Sequence, residues 1–231
     1  MLALLYDVHG NLPALEAVLQ DADGAGAERW QLGGDYALFG PFPAETVARL
    51  RELPRASWLR GNGERWVAHP DEAPHDETVR AAIEACRWTL GQPAVDELGD
   101  LPEAHVEDDV RYCHASPVSD VRSFGPQPGD EDEALLGGAN ERRVVFGHTH
   151  VPFARPGPGG IELVNPGSVG MPFDGDPRAA YALVHSDGRI EHRRVEYDQM
   201  ASARALRRRF PGEWTGTVSA RIEQARFDAE V

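Results

Sequence analysis

The chain opens on an apolar run, "LALLY" (2–6), that stops at Asp7, and this pattern predicts a short buried strand. A helix follows. Asn11 suits its N-cap, Pro13 falls in its first turn, and Leu12, Leu15, Leu19 and Ala22 share one face. "WQLGGD" (30–35) reads as a second strand, "ETVARLREL" (45–53) as a helix and "ASWLRGN" (56–62) as a third strand. Strands alternating with helices indicate a layered α/β fold.

The alternation is interrupted at 65–100. "DETVRAAIEACRWTLG" (76–91) has helical spacing with Gly91 placed to stop it, and "PAVDELGDL" (93–101) adds a second short helix. This segment reads as a helical insertion that caps a cleft. From 103 onward a strand pattern takes over, with hairpins at "EAHVEDDVRYCHA" (103–115), "PFARPGPGGIELVNPG" (152–167) and "AYALVHSDGRIEHRRVEY" (180–197). "RRVVFGHTH" (142–150) is a further strand. The acidic stretch 125–143 is a loop leading into a helix, with its "DEDE" run (130–133) a solvated face. Residues 1–197 then form one domain, and 198–231 a helical extension packed on it, broken at Pro211-Gly212.

A length of 231 residues suffices for a sizeable single core. The formal net charge of −15 repels duplex nucleic acid, whose binding needs Lys and Arg against phosphates. Small phosphate esters stay open, because bound cations reverse the charge of a cleft locally. Two cysteines, Cys86 and Cys113, imply reduced thiols rather than a disulfide framework. The first apolar run is too short for a signal segment, and no stretch approaches a membrane span, so a cytoplasmic protein is expected. Nothing in the pattern specifies an oligomeric state.

The candidate chemistry lies where the strands end. Asp7 and His9 follow the first strand, Asp35 the second and Asn62 the third; His114 ends "VRYCH", and His148 and His150 end "RVVFGHTH". Taken alone, an Asp-x-His or a Gly-Asp is more often a polar pair or a turn than a ligand. His-x-His on a strand is a better signal, since alternate side chains point the same way. Together these residues supply two carboxylates, four imidazoles and one amide oxygen. That is too many for one tetrahedral ion, and it suits two divalent ions of intermediate hardness with one carboxylate bridging. Such a pair can clamp a phosphoryl group.

Asp7-x-His9, Gly34-Asp35, Gly61-Asn62, His114 and Gly147-His148-x-His150 resemble, in this order, the motifs of the calcineurin-like metallophosphoesterases. "DVHGNLPALEAVL" (7–19), "CHASP" (113–117) and "LVNPG" followed by "SVGMPFDG" (163–175) resemble its branch of small bacterial and archaeal phosphodiesterases. The resemblance spans about residues 1–197. It implies a four-layer α/β/β/α sandwich with a helical insertion. It implies that Asp7, His9, Asp35 and His150 hold a first ion, and that Asp35 bridges to a second completed by Asn62, His114 and His148, with Asp35, Asn62 and His114 also counted as catalytic. The ions would be Mn, Fe, Zn or Ni. A hydroxide held between them would attack phosphorus in line in a small phosphoester, first of all a nucleotide-type phosphodiester. Hydrolysis of phosphomonoesters or phosphoproteins, and a non-catalytic metal-binding scaffold, are the alternatives.

One departure stands out. Many members of this family carry a histidine directly after Gly-Asn, where it protonates the leaving alkoxide; here Gly63-Glu64 stands instead. Glu64 and His69 are the nearby residues that could substitute, against a solvated Glu and a lid His. "GDYALFGPFP" also lacks the arginine that Ser/Thr phosphatases tend to place soon after Gly-Asp, which weakens a protein-phosphatase reading. Asn165, Gly167 and Ser168 of "NPGS" are open between substrate contact and a simple turn.

Overall fold

The computed structural model of the chain describes residues 1–229, and two five-stranded sheets face each other at its centre. The first contains β1 (Leu2–Leu5), β2 (Arg29–Leu32), β3 (Ala56–Trp58), β9 (Ala179–Val184) and β10 (Ile190–Val195), in the order β10-β9-β1-β2-β3. The second contains β4 (Ala104–Glu107), β5 (Val110–Cys113), β6 (Arg143–Val145), β7 (Phe153–Pro156) and β8 (Glu162–Asn165), in the order β4-β5-β6-β8-β7. β1, β2 and β3 run parallel, as do β5, β6 and β8, so three neighbouring strands in each sheet end on the same edge.

The uninterrupted apolar runs are explained by burial on both faces. Along β1, Ala3 and Leu5 join the core outside the first sheet, whereas Leu4 and Tyr6 face the second sheet. Along β6, Val145 faces inward and Val144 and Phe146 face the other way. The period of two along a strand thus assigns alternate residues to different cores.

Helices α1 (Leu12–Gly24) and α2 (Pro43–Arg51) pack outside the first sheet, α1 capped by Asn11 Oδ1, which accepts from Ala14 N–H at 3.4 Å. The same core takes Ile83 and Cys86 from α4 (Glu77–Leu90), Val95 and Leu98 from α5 (Gln92–Gly99), Leu206 from α7 (Gln199–Arg209), and Val218 and Ile222 from α8 (Trp214–Gln224). Segment 65–100 is therefore built into the core of the domain, and a deletion there would open it. The layer outside the second sheet is thin: α6 (Asp132–Leu136) supplies Leu135 and Leu136, beside Phe124. Asp132, expected on a solvated face, is turned inward and pairs with Arg155 at 2.8 Å.

Two strands end earlier than the hydrophobic pattern suggests. β2 stops at Leu32 because Gly34 and Asp35 both turn into positive φ, 96° and 57°. β3 stops at Trp58, and Asn62, expected at a strand end, begins a helix, α3 (Asn62–Ala68), that runs into the expected insertion. Its signal was present in "GNGE": Glu64 Oε2 accepts from the N–H of Gly61, three residues earlier, which is half of a capping box. No helix among the described residues is long and apolar enough to cross a membrane.

Candidate metal centre and active site

Five strand ends bring the seven predicted ligands together. Asp7 and His9 follow β1, Asp35 follows β2, Asn62 opens α3 beyond β3, His114 follows β5, and His148 and His150 follow β6. Asp7, His9, Asp35, Asn62, His114 and His150 are buried, and His148 is partly so. The backbone at these positions is unusual. Asp7 (φ 54°), His9 (49°), Asp35 (57°), His148 (66°) and His150 (58°) all occupy the left-handed region. That conformation costs a non-glycine residue about 1–3 kcal/mol and persists only where neighbours enforce it.

The neighbours are identifiable. His9 N–H donates to Asp35 O at 2.8 Å, Gly170 N–H to Asp7 O at 3.0 Å, and Gly147 N–H to His114 O at 2.7 Å. Ser168 Oγ donates to Asp7 O at 2.7 Å. Asn165 Nδ2 donates to Gly147 O and Thr149 Oγ1, while its Oδ1 accepts from Gly167 N–H. Both Asn165 and Ser168 are 0 % exposed, and the "NPGS" loop braces the ligand loops.

The imidazoles are held through their outer nitrogens. Nδ1 of His9 lies 2.9 Å from Leu38 O, Nδ1 of His114 2.8 Å from Gly33 O, and Nδ1 of His150 2.5 Å from Met171 O. A carbonyl only accepts, so each Nδ1 carries a proton, and with burial disfavouring a second one the Nε2 atoms of His9 and His150 turn lone pairs inward. Nε2 of His9 then faces Nε2 of His150 at 3.0 Å with no proton between them. Asp7 Oδ1, buried without a hydrogen-bond partner, lies 3.7 Å from His150 Nε2 and 3.9 Å from His114 Nε2. Asp35 turns Oδ2 toward His9 at 3.8 Å and Oδ1 toward His114 at 3.6 Å. One terminal atom of the Asn62 amide sits 2.9 Å from both His114 Nε2 and His148 Nδ1 and 3.0 Å from Asp120 O. With its oxygen there, acceptors converge on one point.

Lone pairs facing lone pairs in a buried site call for cations, and the donor set fits them. Among the described residues two groups have the spacing to hold an ion: Asp7, His9 and His150, and Asp7, Asp35 and His114. Burial lowers the affinity of His9 and His150 for a proton and pushes His148 down to about 4, aided there by His114. These rings are neutral at neutral pH, as ligation requires. Burial also raises Asp7, against the attraction of His114. His114 offsets only part of that burial cost, and an ion there would supply the further positive charge.

Glu64 and Gly63 have roles that sequence alone did not assign. Glu64 is 3 % exposed, not solvated, and accepts from the N–H groups of Asp35, Tyr36 and Gly61 at 2.8, 2.8 and 2.9 Å. It clamps the Asp35 turn to the start of α3, and its oxygens are already occupied. His69 is exposed at the far end of α3. Gly63 N–H donates to Asp35 Oδ1 at 2.7 Å, and a Cβ on Gly63 would stand 2.8 Å from that oxygen. A histidine cannot be installed here without moving Asp35. Gly63→Ala is accordingly expected to weaken metal binding by about tenfold or more while the fold persists; metal titration alongside circular dichroism measures both.

The centre lies on the floor of a cleft of ≈ 690 Å³. Trp66 of α3 and Val79 of α4 form one wall, and Phe39 and Phe173 flank the ligands. The tail, packed beside α4, adds Arg221 and Phe227 to the lining. Neither tail residue was singled out from the sequence, where each reads as one more position of a terminal helix.

Comparison with known proteins agrees with this geometry. Residues 1–189 match the model of the calcineurin-like phosphoesterase superfamily domain. The chain belongs to this superfamily. It is thus a metallophosphoesterase, a hydrolase of phosphoesters. Among its relatives, protein MJ0912 of Methanocaldococcus jannaschii is 30% identical over 94% of this chain and 96% of its own length. Phosphodiesterase YfcE of Escherichia coli K12 is 29% identical over 81% of this chain and 89% of its own. A metallophosphoesterase from Sphaerobacter thermophilus superposes with a TM-score of 0.81 at 26% identity, covering 97% of this chain and 99% of that one. The two-sheet sandwich flanked by helices is the metallophosphoesterase fold, here with the thin fourth layer described above.

Proposed function

We propose that this metallophosphoesterase is a phosphodiesterase acting on small nucleotide-type diesters, with two divalent ions as cofactors. The observation that carries the reading is the pair of ligand groups sharing Asp7, with Asp35 presenting one oxygen to His9 and the other to His114. Asp7, His9, Asp35 and His150 would hold one ion, and Asp35, Asn62, His114 and His148 the other. Mn, Fe, Zn and Ni all suit these nitrogen and oxygen donors. When bound, such ions supply positive charge against the phosphoryl oxygens and lower the pKa of water.

The chain's own residues do the rest. The carbonyls of Leu38, Gly33 and Met171 fix the orientation of three imidazoles, so their Nε2 atoms stay aimed before substrate arrives. His114 and Asn62, adjacent at 2.9 Å, border the phosphoryl position. The aromatic walls exclude water from one side of the cleft and favour a planar substituent. The name of YfcE supports the diester over a monoester.

The test is turnover of bis-p-nitrophenyl phosphate by protein loaded separately with Mn²⁺, Zn²⁺ and Ni²⁺, with metal content determined in parallel. Two ions per chain and hydrolysis with at least one metal are expected. One ion per chain at saturation would overturn the dinuclear centre. Turnover of phosphomonoesters alone would overturn the diester reading, and no turnover with any metal would point to a binding scaffold.

A further inference from the structure

The C-terminal segment reaches the cleft in a conformation that a mere chain end does not require. Phe227 is 63 % exposed, yet it is held by two residues, Arg221 and Phe173. The guanidinium carbon of Arg221 stands 4.3 Å from the centre of its ring, and Arg221 Nε donates to Phe227 O at 3.0 Å. The ring meets Phe173 edge-on, with centroids 5.5 Å apart and planes at 75°. Phe173 in turn stacks on His150, at 4.3 Å and 13°. A continuous train of flat groups therefore runs from a candidate metal ligand to an exposed ring at the cleft rim. Among the described residues Arg221 forms no ion pair, and burial lowers its pKa although Asp76 faces it and opposes that shift.

Exposing an aromatic ring to water while fixing its pose is unfavourable twice over, in hydration and in rotamer entropy. A ligand ring packed on it would recover both. The geometry points to Phe227, positioned by Arg221, as a subsite that stacks the planar substituent, aryl or nucleobase, of the phosphoester held at the metal centre. Stacking of this kind tolerates different rings, because each offers a π-face, and it sets preference for ring-bearing over alkyl substrates. This assignment rests on the phosphodiesterase reading for its substrate, but the subsite can be tested apart from turnover.

The experiment is calorimetric binding of phenylphosphonate and methylphosphonate, which share an anionic head and are not hydrolysed, to Mn²⁺-loaded full-length protein. Wild type is expected to bind the phenyl compound about tenfold more tightly. Phe227→Ala should reduce that preference to about threefold or less with methylphosphonate affinity and metal content unchanged, and Phe227→Trp should restore it. Arg221→Met should give the same loss of preference as Phe227→Ala, because the ring loses its support. In turnover, Phe227→Ala should raise KM for bis-p-nitrophenyl phosphate with little change in kcat. No ring preference in wild type, a preference retained in Phe227→Ala, or equal weakening of both phosphonates would each overturn the subsite. Absence of turnover with a normal ring preference would instead count against the phosphodiesterase reading alone.

Discussion

Asp35→Asn is expected to lower phosphodiester turnover by at least about 10³-fold, with most bound metal lost. The substitution is nearly isosteric. An Asn oxygen can still accept from Gly63 N–H, which Asp35 Oδ1 does at 2.7 Å, so the turn and the start of α3 should keep their shape. What disappears is the negative charge between His9 and His114, 3.8 and 3.6 Å from its two oxygens. An amide also offers one oxygen where a carboxylate offers two, so it cannot serve both sides. Elemental analysis and initial rates on the same preparation measure the outcome. A variant that retains two ions and more than about a tenth of the activity would show that Asp35 does not join the ions, and Asp7, common to both ligand groups, would be the residue to examine.

Glu64→Gln should damage the protein in a different way, through stability first and metal second. The Glu64 carboxylate accepts three backbone N–H bonds inside the core. Glutamine has one acceptor oxygen, and its NH₂ would face at least one N–H donor directly. A buried donor left without an acceptor costs about 1–3 kcal/mol, and loss of charge assistance adds to this, so about 3 kcal/mol is expected in total. For a chain of 231 residues this lowers Tm by about 6–12 °C. Thermal melts with and without Mn²⁺ check it, the metal-free drop isolating the structural part. A change under about 2 °C would mean that the clamp is dispensable.

Much of this was legible along the chain because it is local. The strand-helix alternation, the Asn11 cap, the stop at Gly91 and the break at Pro211-Gly212 each depend on residues within a turn or two of one another. The seven ligands were legible for a related reason. In a parallel sheet, residues just past neighbouring strands come to the same edge whatever the intervening loops do. A run of apolar residues followed by Asp, His or Asn therefore marks the site even though His9 and His150 are 141 positions apart.

The rest depended on distances that no local pattern encodes. Gly63 reads in sequence as a vacancy left by a missing acid; in three dimensions a Cβ there would press on Asp35 Oδ1, which its N–H already holds. Glu64 looked like a solvated carboxylate because nothing nearby in sequence announces the N–H groups of Asp35 and Tyr36 that it satisfies. The left-handed backbone at five ligands cannot be read from their identities, since Asp and His tolerate that region better than most side chains but enter it only where the surrounding loops impose it. Sequence determined which residues arrive at the sheet edge, because strand direction and hydrophobic period are local properties of the chain. Tertiary structure alone decided that helix α8 and Phe227 would line the cleft beside them, because that contact comes from packing a terminal amphipathic helix onto a core assembled from residues some 200 positions away.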